Sequence, residues 1–273
     1  MARVLIFGAT GSLGRIVLRQ GVESGHDVTV FVRDPSKLPS EMSTRIGVRR
    51  GDLLQSGADA IADLVRGHQV VLNCAGHVTD GQAFVDLVSH LVDGLERLQP
   101  LERPVCWFLA GAAVLDIGES GRRGVDLPKV KNTYWPHLAN FERLQRSSLA
   151  WSLLCPGPMV DRAPVGLSTL RVSIDRLPVP ISRVSRLLPA PLLLPIFASK
   201  IPEMIIPYAD AAALMLAHLG AEGQLVRRRV GVALPLGMKG RKGVTGVFSS
   251  DGNSSGSCKR ADGNPLLATR LTR

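Results

Sequence analysis

Aromatic residues make up only 4% of this 273-residue chain, and that scarcity limits one class of function from the start. The chain carries a formal charge of +10, which invites a nucleic-acid reading. Single strands, however, are gripped by stacking bases on aromatic rings as well as by charge. Residues 227–273 hold ten Lys or Arg and two Asp, a net +8 that leaves only +2 for the first 226 residues, and Phe248 is the one aromatic there. The basicity therefore belongs to the tail, and nucleic acid is not an expected partner of the folded part. Cysteine is equally sparse: Cys74, Cys106, Cys155 and Cys258 stand far apart, with neither metal-ligand spacing nor a disulfide framework. The first three sit in or beside apolar runs, as small core residues of a reducing compartment do. No apolar run approaches the roughly 18 residues of a membrane span. The chain opens directly on an apolar strand, so no signal peptide is expected and the cytoplasm is the expected setting.

What is abundant is apolar residue, 45% of the chain, arranged in a repeating pattern. Short apolar runs at 3–7, 27–32, 46–49, 69–74, 105–110 and 151–155 read as strands. Segments 12–23, 58–66, 83–98 and 139–147 between them space apolar residues at three and four, as helices do. Continuous rather than alternating runs such as Val4-Leu5-Ile6-Phe7 suit strands covered on both faces. Alternation of this kind predicts an α/β fold with a doubly wound parallel sheet. A helix at 208–219 and a last strand at 230–234 complete it.

Between 164 and 207 prolines crowd the chain and interleave with Arg171, Arg176, Arg183, Arg186 and the apolar run 187–197. Proline at that density breaks helix and ladder alike, so short helices and loops are expected there rather than another βαβ unit. A small Pro-rich cap over a ligand, at 160–207, is the favoured role, with a subunit or membrane-surface contact as the alternative. One domain over 1–240 contains it. The tail at 241–273 includes Ser249-Ser250-Asp251-Gly252-Asn253-Ser254-Ser255-Gly256-Ser257, which has nothing to bury against its ordering entropy, so disorder is expected.

The densest signal is Gly8-Ala9-Thr10-Gly11-Ser12-Leu13-Gly14, directly after the first strand and opening the first helix. In such a turn the first glycine permits the sharp bend, the second lets backbone approach a pyrophosphate, and the third lets helix and sheet pack closely. The helix start then presents free N–H groups and a positive dipole end to the phosphates. At the end of the second strand stands Arg33, where an acid would accept from both ribose hydroxyls. A guanidinium there pairs instead with a 2′-phosphate, and Arg15 adds a second positive charge. NADP (as NADPH) is therefore expected ahead of NAD, with Asp34 keeping NAD open.

These residues, with Val32-Arg33-Asp34-Pro35, Gly51-Asp52-Leu53 and Asn73-Cys74-Ala75-Gly76, resemble the atypical short-chain dehydrogenase/reductase superfamily. The chain is most similar to its NmrA-like and NAD(P)-binding members, the group that includes flavin reductase/biliverdin reductase B. The resemblance spans about residues 2–235. Its second half rests on Glu142, on 151–158 and on Pro207-Tyr208-Ala209-Asp210-Ala211-Ala212. It implies a Rossmann-type fold in which Gly8, Thr10, Gly11, Ser12, Leu13 and Gly14 line the pyrophosphate and Arg33 takes the 2′-phosphate. Asp52 would accept from the adenine amino group with Leu53 packing on the ring, while Asn73, Ala75 and Gly76 would run beside the nicotinamide ribose.

The catalytic half departs from that pattern. Members of the superfamily polarise a carbonyl with a Tyr, a Lys four residues later and a Ser after the fifth strand. Here that strand ends Leu109-Ala110-Gly111-Ala112-Ala113, and Tyr134 is followed at the fourth place by Leu138. A phenol without a nearby cation is a poor proton donor at neutral pH. His137 titrates in the useful range when unperturbed and is the substitute candidate acid; Lys129 and Lys131 read as lying in a loop over the pocket. The sequence thus points to an oxidoreductase of a small carbonyl, quinone or flavin-like molecule. Non-catalytic redox sensing is the alternative, and a nucleotide-sugar epimerase or dehydratase is less favoured for want of the Tyr and Lys pair.

Overall fold

The computed structural model describes residues 1–241. The chain order is β1 (Arg3–Phe7), α1 (Gly14–Glu23), β2 (Asp27–Val32), α2 (Ser40–Ser43), β3 (Gly47–Arg50), α3 (Ala58–Val65), β4 (Val70–Asn73), α4 (Gln82–Arg97) and β5 (Val105–Leu109). Then come α5 (Val130–Arg146), β6 (Ala150–Cys155), β7 (Met159–Val160), β8 (Arg171–Ile174), α6 (Ala190–Lys200), β9 (Ile206–Pro207), α7 (Tyr208–Leu216) and β10 (Arg228–Ala233). Eight strands form one sheet in the order β3-β2-β1-β4-β5-β6-β10-β8, parallel except for β8, which runs antiparallel to β10. The chain starts in the middle of the sheet and winds first to one side, then to the other. The order therefore reverses between β1 and β4, and the carboxyl ends of those strands open a crevice suited to a ligand.

Both faces of the sheet are covered, which explains the unbroken apolar runs. Leu5 and Phe7 join a core with Ile61 of α3, Val88 and Leu91 of α4 and Leu144 of α5. Val4 and Ile6, their neighbours along the same strand, join the opposite core with Val17 of α1 and Leu214 of α7. Alternate side chains of one strand thus feed two layers. Gly94 of α4 lets that helix lie against α3, since an added Cβ would meet Ile61 at 2.4 Å.

Strand and helix positions match the sequence pattern closely, with two corrections. Helix α5 begins at Val130, nine residues before the apolar spacing announces it, and carries Pro136 within it. Lys131 is consequently helical rather than in a loop, and Lys129 holds the left-handed residue just before it, φ 66°. The Pro-rich segment, expected to be loops and short helices, also contributes β8 as an edge strand of the main sheet. Pro191 lies in the first turn of α6, where a missing N–H would be unpaired in any case, whereas Pro195 stands inside the same helix and removes one of its hydrogen bonds. The buried Asp210 of α7 anchors the start of this segment, its two carboxylate oxygens accepting from the N–H groups of Val165 (2.8 Å) and Gly166 (3.0 Å). The expected disordered tail and Cys258 lie outside the described residues.

Candidate functional site

The glycine turn is a backbone cradle that side chains would fill. Gly8 adopts φ +75°, and a Cβ there would stand 2.6 Å from Ala75 N and from Cys74 C at the end of β4. At Gly14 a Cβ would lie 2.0 Å from Gly8 O, so the first turn of α1 rests on the loop itself. Gly11 N–H closes the bend on Gly8 O at 3.0 Å. Thr10, Gly11 and Ser12 are exposed along the rim, whereas Leu13 is buried and offers the rim only backbone. Helix α1 has no side-chain cap and no acidic residue in its first turn. Arg15 N–H donates to Gly11 O and Ile16 N–H to Leu13 O, both at 3.0 Å, so the N–H groups left for an anion are those of Ser12, Leu13 and Gly14 just ahead of them, the arrangement a pyrophosphate needs.

The adenosine end takes shape where β2 and β3 stop together. Val32 pairs with Arg50 in register, and Gly51 N–H donates to Val32 O at 3.0 Å. The exposed Arg33 thus has Arg50 beside it, from a strand 17 residues further on. Asp34 is committed elsewhere: its Oδ1 accepts from Ser36 N–H (3.1 Å) and Ser36 Oγ–H (2.7 Å), capping the turn Pro35–Lys37. Those bonds hold its carboxyl below the usual carboxylate range, and Lys37 and Arg50 add to the effect. Arg33, Lys37 and Arg50 make no ion pair within 4 Å among the described residues. Arg50 escaped the sequence reading because strand register, not spacing, brings it here; Lys37, in the turn that Asp34 caps, was local and was missed. Arg15 pairs with Asp161 at 2.8 Å instead of standing free, and the two border a cleft of about 310 Å³ with Arg19, Glu41 and Met42.

Asp52 Oδ1 accepts from Leu54 N–H at 3.0 Å, bending the chain after β3. Leu53 is only 5% exposed and packs in the core beneath the sheet, which leaves little of its side chain for a ring. Asn73 is buried at the end of β4, and its Oδ1 accepts from Ala75 N–H at 3.1 Å, shaping the loop toward Gly76. Gly76, φ +94°, must be glycine because a Cβ would strike the Phe84 ring at 2.2 Å. Phe84 in turn meets His137 edge-on, centroids 5.6 Å apart. The chain of contacts runs from the end of β4 to α5.

His137 and Tyr134 do come together. Their rings stack 6.1 Å apart with 20° between planes, and the His137 ring lies 3.3 Å from where a Gly111 Cβ would be, at the end of β5. Burial, however, weighs against His137 as a proton-carrying acid. His137 is 8% exposed, and burial pushes its pKa down to about 4, with His77 adding a smaller push the same way. Removing the imidazolium from water disfavours the charged form, which favours a neutral ring over a proton-carrying one at pH 7. Its Nδ1, and both amide atoms of Asn140 one turn further along α5, are buried and make no hydrogen bond among the described residues. Tyr134 is 37% exposed, and Lys129 and Lys131 are exposed.

Beyond the crevice, Phe197 of α6 lies against the turn Gly124–Asp126, where a Gly124 Cβ would be 3.0 Å from its ring. The Pro-rich segment therefore closes on the side of β5 where an acceptor would lie. Among the described residues no cluster of His, Cys, Asp or Glu could hold a metal, and no helix is long and apolar enough to cross a membrane.

Comparison with known proteins agrees with this geometry. The uncharacterized protein YwnB of Bacillus subtilis is 25% identical over 175 residues, 59% of this chain and 74% of its own. Among solved structures, a Rossmann-fold NAD(P)-binding family protein from Shigella flexneri superposes with a TM-score of 0.60 at 16% identity. That match covers 89% of this chain and 98% of the other. ChuY, an anaerobillin reductase from Escherichia coli O157:H7, gives a TM-score of 0.57 at 16% identity, covering 86% and 98%. At such identities these structures speak for the fold. The family described as NAD(P)H-binding matches residues 8–186, from the first glycine of the turn into the Pro-rich segment. The glycine cradle, the sheet order and that match agree: this chain belongs to the NAD(P)H-binding family.

Proposed function

We propose that the protein is an NADPH-dependent reductase of the atypical short-chain dehydrogenase/reductase type, acting on a small, planar, hydrophobic carbonyl, quinone or flavin-like acceptor. The observation that carries the reading is the pairing of two features at the carboxyl ends of β1 to β4. One is a glycine cradle with an uncapped helix start. The other is the set Arg33, Lys37 and Arg50 around an Asp34 already engaged by Ser36. Bound NADPH supplies a hydride, which is chemistry of the cofactor, so the protein has chiefly to bind, orient and shield.

The turn from Gly8 to Gly14 would hold the pyrophosphate, Arg33 with Lys37 and Arg50 the 2′-phosphate, and Asp52 the adenine amino group. Asn73, Ala75 and Gly76 would flank the nicotinamide ribose. Gly111 and the neutral His137 form an apolar wall for the acceptor, and Tyr134 is the side chain left to offer it a hydrogen bond. Three unpaired cysteines, Cys74, Cys106 and Cys155, fit a reducing cytoplasm.

A second reading, a redox sensor that binds NADP without turnover, is favoured by a specific observation. The positions of the superfamily's Ser and Lys hold Ala112, Ala113 and Leu138, and the burial of His137 disfavours it as a replacement acid. The same gap argues against epimerase or dehydratase chemistry. Titration with NADPH and NADH by fluorescence, followed by oxidation with quinones, flavins and aldehydes, separates the readings. Tighter NADPH binding with turnover is expected. Equal affinities would remove the NADP preference, and binding without turnover on every acceptor would leave the sensor.

A further inference from the structure

The Pro-rich cap turns apolar surface outward as well as inward. Inward, Leu193 and Phe197 of α6 are buried. Outward, Val184 is 66% exposed, Leu187 79% and Leu192 53%. Val184 and Leu187 lie three residues apart on the 3₁₀ helix Arg183–Leu187, whose period of about three places them on one face. Residues 176–202 contain Arg176, Arg183, Arg186 and Lys200 and no Asp or Glu. Lys200 is neutralised by Glu203 at 3.1 Å, but the exposed Arg176 and Arg183 make no ion pair within 4 Å among the described residues.

We propose that this face docks on an anionic lipid bilayer, with Val184, Leu187 and Leu192 entering the interfacial layer and Arg183 meeting the headgroup phosphates. Exposed branched apolar side chains next to unpaired arginine are the combination that interfacial segments use, since apolar burial and attraction to anionic lipid add. A second copy suits the face less well, because a two-fold contact would bring two patches of the same charge together. Arg122 Nη1 donates to Leu188 O at 2.5 Å, tying the turn between the 3₁₀ helix and α6 to the rest of the molecule. The face is thus held in shape before it meets a surface, which lowers the entropy lost on docking.

Co-sedimentation of the full-length protein with vesicles of phosphatidylcholine alone and of phosphatidylcholine with phosphatidylglycerol tests the proposal. Binding to the phosphatidylglycerol vesicles, weakened by salt, is expected. Leu187→Asp should lower the partition coefficient about tenfold or more and Arg183→Glu about fivefold or more, with NADPH affinity and cooperative melting as in the unaltered protein. Absence of binding to anionic vesicles would overturn the proposal. So would unaltered binding of both variants, which would assign any attachment to another part of the chain, such as the basic tail. A dimer in light scattering that Leu187→Asp dissociates would also overturn it and make the face a self-interface. These readouts need no enzymatic turnover, so they stand or fall apart from the reductase reading.

Discussion

The proposed cofactor half and the proposed acceptor half of the molecule treat their polar groups in opposite ways. Around the adenosine and ribose positions, each carboxylate or amide is satisfied by a neighbour two residues away: Asp34 by Ser36, Asp52 by Leu54, Asn73 by Ala75. Around the acceptor position, His137 and Asn140 of α5 are buried against the sheet, and His137 Nδ1 and both Asn140 amide atoms make no hydrogen bond among the described residues. Local bonds make a binding loop that is rigid and chemically ordinary. A side chain buried by distant packing has its chemistry changed by that packing, as the lowered pKa of His137 records.

The sharpest way to break the comparison is in the cradle. Gly14→Val would drive a side chain into Gly8 O, where a Cβ already stands 2.0 Å away. We expect destabilisation of about 3 kcal/mol or more and loss of NADPH binding, read by chemical unfolding and fluorescence titration. Retention of both would mean the turn is slack.

The next largest effect belongs to His137 and has a defined sign. Its folded pKa of about 4 lies below the roughly 6.5 of an unfolded histidine. Above that value both states are neutral and the protein has its full stability. As pH falls from about 6.5 toward about 4, the unfolded chain takes the proton first and stability drops, by at most about 3 kcal/mol. His137→Phe should flatten that part of the stability profile in chemical unfolding at a series of pH values. A profile as steep as before would place the titrating group elsewhere.

Smaller effects sharpen each side separately. Arg33→Asp should weaken NADPH binding by about 2 kcal/mol, roughly thirtyfold, while changing NADH little. An unchanged NADPH affinity would take Arg33 out of its role and leave Lys37 and Arg50. Asn140→Leu should leave stability equal or raise it by about 1 kcal/mol in urea unfolding, since it removes two buried polar atoms that have no protein partner. A clear loss would show that the amide is needed where it is.

Much of the cofactor half was legible because its determinants are contiguous. The strand Arg3–Phe7 and the seven-residue turn behind it carry their own steric logic, and β2 begins and ends where its apolar run does. The acceptor half was not, for identifiable reasons. Pro136 masked the start of α5, although the helix tolerates it. The edge strand β8 pairs with β10; Arg171-Val172-Ser173-Ile174 does alternate polar and apolar residues, but four residues amid prolines are too short a signal to separate from loop. The unpaired cations showed the same divide: Arg33 was found from its position after β2, whereas Arg50 needed the register between β2 and β3.

The sequence by itself therefore determined the parallel sheet, the glycine cradle and the positive charge after β2, since each follows from neighbours in the chain and from glycine's missing Cβ. Tertiary structure alone decided that Arg15 is paired with Asp161, that Arg50 stands near Asp34, and that burial lowers the pKa of His137. Charge and protonation depend on what lies within a few ångströms and on how much water is excluded, and those are set by segments far apart in the chain.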